Sequence, residues 1–124
     1  MLTLTLALPK GRLFEPTVAL LRASGIDGFQ GRILEVTGKA RGMAGNLSIV
    51  MFLIRDDDVP TYVSRGAADM GIVGKDVLDE SGEEVVELLD LGLGCCRLSL
   101  AAPAHLKEVS PRTIRRVATK YPAI

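Results

Sequence analysis

Three stretches of the 124-residue chain hold residues whose types and spacing could bind a ligand. Pro9-Lys10-Gly11-Arg12 sets two cations around a glycine, directly after an apolar run and directly before an amphipathic one. Arg55-Asp56-Asp57-Asp58 closes a second apolar run. Asp69, Gly71, Gly74, Lys75 and Asp76 surround a third. A glycine turn from strand to helix exposes backbone N–H groups at the positive end of the helix dipole, where a phosphate or carboxylate binds. Lys10 and Arg12 would stand beside such a site, with Arg55 reaching towards it. Such turns also serve as plain connections with solvated cations, and the residue types alone leave both readings open. Three adjacent acids suggest Mg²⁺. Successive side chains of an extended chain point to opposite sides, however, so they cannot all converge on one ion. Asp58 is better placed to cap a helix, its carboxylate accepting from first-turn N–H groups. Pro60 suits that first turn, and Gly66 suits the left-handed end of the same helix. No Ser-His-Asp or Cys-His set occurs. No catalytic residue and no metal ligand is singled out.

The elements that must carry these residues follow from the spacing of apolar side chains. Residues 2–8 read as a first strand, ended by Pro9. Residues 13–24 read as a helix with Phe14, Val18 and Leu21 on one face and Gly25 as its C-terminal stop. Residues 32–36 form an edge strand, and 37–46 a glycine-rich connection with no internal pattern, expected to be mobile. Residues 47–54 are continuously apolar and make a central strand. Residues 70–73 make another buried strand, followed by a helical turn over 75–79 that Ser81-Gly82 breaks. Further strands are expected at 85–89, 96–102 and 116–119, with Ser110 and Pro111 opening a short helix between the last two. Alternating strands and helices indicate an α/β fold with a mainly parallel sheet. In such sheets ligands bind outside the carboxyl ends of the strands.

Composition narrows the classes. Hydrophobic residues are 48% of the chain but aromatics only 4%, with no Trp, so the core is aliphatic and base-stacking platforms are lacking. Net charge is zero, which argues against a general nucleic-acid binder. The charges are unevenly placed: residues 1–54 carry +3, residues 55–94 carry −8 and residues 95–124 carry +5. Two basic regions flanking an acidic one suit a polyanion bound with Mg²⁺; solvated helix faces explain most of the acids equally well. Cys95 and Cys96 are adjacent, a spacing that rarely makes a disulfide and makes no zinc site. Reduced thiols and a cytoplasmic location follow. No apolar run of about 18 residues suggests a membrane span. His105, the one histidine, has no assignable role.

Five motifs in order carry a family resemblance: LALPKGRL (6–13), RDDDVPTYV (55–63), GAADMGIVGKDVL (66–78), LDLGLGCCRLSLAAP (89–103) and RVATKYP (116–122). Together they resemble ATP phosphoribosyltransferase, over essentially the whole chain. The resemblance implies a two-lobe architecture like that of type II periplasmic binding proteins. Residues 1–95 would form the first lobe, on the nucleotide side of the cleft. Residues 96–124 would be the crossover and the start of an incomplete second lobe. It implies transfer of the phosphoribosyl group of phosphoribosyl pyrophosphate to N1 of ATP, with Mg²⁺, as the first step of histidine biosynthesis. Such chemistry needs alignment and charge neutralisation rather than a covalent nucleophile. Lys10, Gly11, Arg12 and Arg55 would bind phosphate, and Asp69, Gly71, Gly74 and Asp76 would line the nucleotide side. The short form of the family, which works with a separate regulatory subunit, suggests a homo-oligomer or such a hetero-oligomer. The family's glycine/threonine-rich loop for the ribose phosphate is not found in these 124 residues. A small-anion binding module of the same fold, or an inactive fragment needing its missing part, are the alternatives.

Overall fold

Strand β1 (Leu2–Pro9) lies inside the sheet, and its alternating side chains define two cores. Leu6 and Leu8 point to one face and meet Leu21, Ile49 and Met51. Ala7 points to the other and meets Val59 and Ala68. The computed structural model describes residues 2–26, 36–38, 47–106 and 110–124. Helix α1 (Phe14–Ala23) supplies Leu21 to the first core, and α2 (Val59–Ser64) supplies Val59 to the second. The sheet is therefore covered on both sides, as its apolar, largely parallel strands require.

The sheet runs in the order β2 (Val36–Gly38), β3 (Leu47–Ile54), β1, β4 (Met70–Gly71). β1 pairs in parallel with β3 over its full length, from Leu2 opposite Leu47 to Pro9 opposite Ile54. It also pairs in parallel with β4, and the edge strand β2 runs antiparallel to β3. The two parallel connections leave the sheet on opposite faces. The loop after β1 leads to α1 on one side, and the loop after β3 leads to α2 on the other. The chain moves from β1 to β3 on one side and then crosses back over β1 to β4 on the other, so the winding reverses between β1 and β4, which in open α/β sheets opens the ligand crevice.

Local punctuation agrees closely with the sequence signals. Gly11, Gly25, Gly66 and Gly82 all adopt left-handed backbone conformations at turns or helix ends. α3 (Lys75–Ser81) begins after Gly74 and stops at Gly82. Pro111–Thr113 is a single 3-10 turn whose Ser110 hydroxyl accepts the Arg112 N–H. An edge strand is present at Val36–Gly38, so the expected strand is met at Val36 and the start of the expected connection is strand instead. The rest of both expectations, residues 32–35 and 39–46, lies outside the described residues.

Four expectations need correction. The strand at 70–73 is ladder-paired only at Met70–Gly71, although the Ile72 N–H still donates to the Ala7 carbonyl at 3.0 Å. Residues 85–89, 96–102 and 116–119 form no strand. An alternating pattern makes a strand only when a neighbouring backbone completes the ladder. Glu84, Val85, Val86 and Leu88 instead line an open groove of about 640 Å³ with Val63 and Asp69, and no described strand pairs with the outer edge of β4. Val86, Leu88, Leu98, Leu100 and Val117 are all exposed as a result.

Candidate functional site

Lys10, Gly11 and Arg12 sit at the reversal point. The Lys10 N–H donates to the Ile54 carbonyl at 2.8 Å, closing the last rung between β1 and β3. Gly11 then turns with φ of +88° and open space around its Cα, so backbone conformation rather than crowding selects glycine there. The Phe14 N–H donates to the Gly11 carbonyl, and α1 begins. Leu13 precedes α1 without a side-chain cap. With the Phe14 N–H taken by Gly11 and no N–H on Pro16, the Glu15 N–H is the first-turn donor left without an intrahelical acceptor. Both cations are exposed, and neither side chain pairs with any described residue.

Arg55 follows β3, the neighbour of β1 on the side away from β4. Its guanidinium is 75% exposed and only loosely paired, 3.9 Å from the Asp57 carboxylate. Asp56–Asp58 form a 3-10 turn rather than extended chain. The Asp58 side chain makes no capping bond, which corrects the expected cap. Asp56 supplies the carboxylate bond instead, its Oδ1 accepting the Asp57 N–H at 2.9 Å. The extra 3-10 turn places Asp58 in helical backbone, φ −90° and ψ −18°, outside the extended geometry from which a cap reaches back.

Gly74 and Asp76 approach the basic turn through Leu13. A Cβ on Gly74 would lie 3.9 Å from Leu13 Cδ1 and 2.5 Å from Asp76 Oδ1, and a Cβ on Gly94 would collide with Leu13 Cδ2. Leu13 therefore fills the space between the turns at Gly74 and Gly94. Its place at the start of the expected helix gives no sign of this wedge role.

Asp69 and Gly71 are placed differently. Asp69 precedes β4, and its Oδ2 accepts the Thr5 N–H at 2.8 Å, at mid-strand level in β1. Gly71 lies beneath α2, where a Cβ would come 2.5 Å from Val59 Cγ1 and 3.0 Å from Val63 Cγ2. Both hold the sheet edge together, and the structure does not bring them to the basic turn. Lys75 is also engaged, with Asp79 at 2.9 Å and Glu87 at 3.0 Å. Hydrogen bonds to those two carboxylates push its pKa up to about 12.

Residues from the end of the chain join the site unannounced by the sequence. Lys120 Nζ lies 3.4 Å from Asp57 Oδ1, and the Tyr121 hydroxyl donates to Asp76 Oδ2 at 3.0 Å. Lys120 also stands 5.7 Å from the Tyr121 ring centre. Among the described residues no three His, Cys, Asp or Glu side chains group as a metal site. Of the aspartates after β3, Asp56 is engaged by a backbone N–H and Asp57 by Arg55 and Lys120. This donor set does not fit a protein-built Mg²⁺ cage.

The family model for HisG, ATP phosphoribosyltransferase, matches residues 55–124. The chain belongs to the ATP phosphoribosyltransferase family. An ATP phosphoribosyltransferase of Symbiobacterium thermophilum is 49% identical over 127 residues, covering 96% of this chain and 55% of that protein. Those of Moorella thermoacetica and Thermus thermophilus are both 46% identical, over 98% and 96% of this chain. The chain spans about half the length of these curated relatives. Among solved structures, the ATP phosphoribosyl transferase (HisG:HisZ) complex from Thermotoga maritima matches with a TM-score of 0.53 and 34% identity. The match covers 69% of this chain and 39% of that one. Within the ATP phosphoribosyltransferase frame, the described α/β sheet with its parallel core carries the basic turn and both flanking turns at its carboxyl edge. Cys95 and Cys96 are free and exposed. No helix of the described residues is long and apolar enough to cross a membrane.

Proposed function

We propose that the protein to which these residues belong transfers the phosphoribosyl group of phosphoribosyl pyrophosphate to N1 of ATP, releasing pyrophosphate. One observation carries this reading: Lys10 and Arg12, two cations unpaired among the described residues, flank an open left-handed glycine at the winding-reversal point of a parallel sheet. The N-terminal end of α1 and the loosely held Arg55 add positive potential there. Such a cradle suits a diphosphate, whose departure needs charge neutralisation in the transition state. The Gly74–Asp76 turn across Leu13 supplies the nucleotide side. Asp69 and Gly71 act on that side indirectly, by fixing the edge strand that leads into the turn. Mg²⁺ would arrive on the substrate phosphates, consistent with the ion's reluctance to give up its water for protein cages.

Residues 1–95 form the first lobe in this reading, and residues 96–124 the crossover and the start of the second. All described strands precede residue 72, and residues 83–106 contain no helix or strand, as a crossover would. The groove beside β4, with Val86 and Leu88 exposed on its border, is where further chain would complete the first lobe. The Thermotoga maritima neighbour is a complex of two kinds of subunit, which supports a hetero-oligomer with a regulatory partner for this protein also. The 124 residues alone lack a ribose-phosphate loop. Misplacing one reactant costs on the order of 100-fold, so this chain by itself is expected to bind adenine nucleotide weakly and to turn over nothing. An assay of phosphoribosyl-ATP formation tests the proposal on both the whole protein and the isolated chain. No product from the whole protein would overturn it in favour of a small-anion binding module. Robust turnover by the isolated chain as a monomer would show that the phosphoribosyl site lies elsewhere.

A further inference from the structure

Residues 120–123 reach back over the acidic side of the first-lobe turns and touch them at three places. Lys120 meets Asp57, in the turn after β3. Tyr121 meets Asp76, at the second position of α3. The Ala123 N–H donates to both oxygens of Glu80, at 3.0 and 2.8 Å, one turn further along α3. The contacts therefore bridge the two carboxyl-edge turns after β3 and β4, 45 residues back in the chain for the Tyr121 bond.

The Asp76 carboxylate occupies the space over Gly74, where a Cβ would lie 2.5 Å from its Oδ1, and its Oδ2 accepts the Tyr121 hydroxyl at 3.0 Å. The terminal torsion of an aspartate is broad on its own, and the Tyr121 hydroxyl selects one setting of it.

We propose that Tyr121 is a positioning residue: its hydroxyl fixes the Asp76 carboxylate in the orientation that receives the nucleotide, with Lys120 and Ala123 clasping the same segment to Asp57 and Glu80. This rests on the reading of the Gly74–Asp76 turn as the nucleotide side of an ATP phosphoribosyltransferase. The clasp belongs to the segment assigned to the second lobe. It would therefore tie the arrival of that segment to completion of the nucleotide site on the first.

The test uses the whole protein with Tyr121→Phe, Asp76→Asn and the double variant. Equilibrium Kd for ATP, KM and kcat, and the thermal midpoint are measured for each. Tyr121→Phe keeps the ring and its packing and removes only the donor. It should weaken ATP binding by about tenfold, the size expected when a hydrogen bond to a charged group is lost, while kcat at saturating ATP stays near that of the parent. The double variant should bind ATP no worse than Asp76→Asn alone, because Tyr121 acts through Asp76. A drop in thermal midpoint without a change in Kd would make Tyr121 merely structural and overturn the inference. So would multiplicative losses in the double variant. If Asp76→Asn itself leaves ATP binding intact, the nucleotide reading of the turn has failed, and the inference falls with it.

Discussion

The Asp69 carboxylate accepts the Thr5 backbone N–H at 2.8 Å, tying the entrance of β4 to the middle of β1 across 64 residues. β4 contributes only two paired residues to the sheet, so this side-chain bond does part of the work of a longer ladder. The Asp69 N–H donating to the Thr5 carbonyl at 3.0 Å completes a reciprocal pair. Asp69→Ala leaves the Thr5 N–H without its partner. The site is exposed, so a destabilisation of about 1 kcal/mol is expected, measured by urea unfolding. Asp69→Ala should also lower hydrogen-exchange protection at Met70 and Gly71 more than at Leu53.

Gly71, expected beside the nucleotide, is also a packing position beneath α2. A methyl there meets Val59 Cγ1 and Val63 Cγ2 inside contact distance, and Val59 is buried in the second core. Gly71→Ala should cost about 1–3 kcal/mol by overpacking. Val59→Ala in the same chain makes room for the added methyl. The double variant should therefore lose less stability than the two single changes together, and simple additivity would show that the clash is relieved in another way.

Most of the sheet framework was legible in the sequence, and little of the chain beyond Ser81 was. The strand at 2–8 and the helix at 13–24 could be placed because apolar spacing agreed with a proline or glycine at their ends, and 47–54 because it is continuously apolar; the helical turn expected at 75–79 runs on to Ser81. The basic turn was legible because Lys10, Gly11 and Arg12 stand directly between a strand and a helix pattern. Asp69 and Gly71 were not separable from Gly74 and Asp76 by spacing, since only the register with β1 shows which lie at the carboxyl edge. Residues 85–89 and 96–102 read as strands because alternation is a local property, whereas a ladder needs a neighbour. The bond between Tyr121 and Asp76 had no local signature at all.

The triple aspartate gives a contrast between two neighbours. Asp58 makes no capping bond, whereas Asp56 Oδ1 accepts the Asp57 N–H. Asp58→Ala should change stability by less than about 0.5 kcal/mol, and Asp56→Ala should cost about 0.5–1 kcal/mol. Thermal melts of the two variants side by side check the order. A larger loss at Asp58 would restore it as the cap.

Arg12 has no partner among the described residues, so removing it leaves no buried charge behind. Arg12→Ala should leave the thermal midpoint within a degree or two, as surface changes usually do. In the whole protein it should weaken phosphoribosyl pyrophosphate by about 10- to 100-fold, the loss of one charge-assisted hydrogen bond. Arg12→Lys should recover only part of this, because an ammonium lacks the planar fork that grips phosphate. Equal KM values for the parent and Arg12→Ala would remove Arg12 from the phosphate site.

The contacts of residues 120–123 carry a pH signature whose sign is fixed by their chemistry. The hydrogen bond to Asp76 raises the Tyr121 pKa above its ordinary 10.0, and the hydrogen bond to Asp57 raises that of Lys120 above 10.5. Each group is held in its protonated form by the fold. The stabilisation is thus fully present below pH 10 and is lost as pH rises through the raised values. The clasp should therefore hold at neutral pH and release in alkaline solution above pH 10. The chain has two tyrosines, so a Tyr62→Phe background leaves absorbance at the phenolate band to report Tyr121 alone. Its midpoint should lie above 10.0 and fall when Asp76→Asn removes the carboxylate acceptor. A midpoint that ignores Asp76→Asn would mean that the hydroxyl bonds elsewhere in solution.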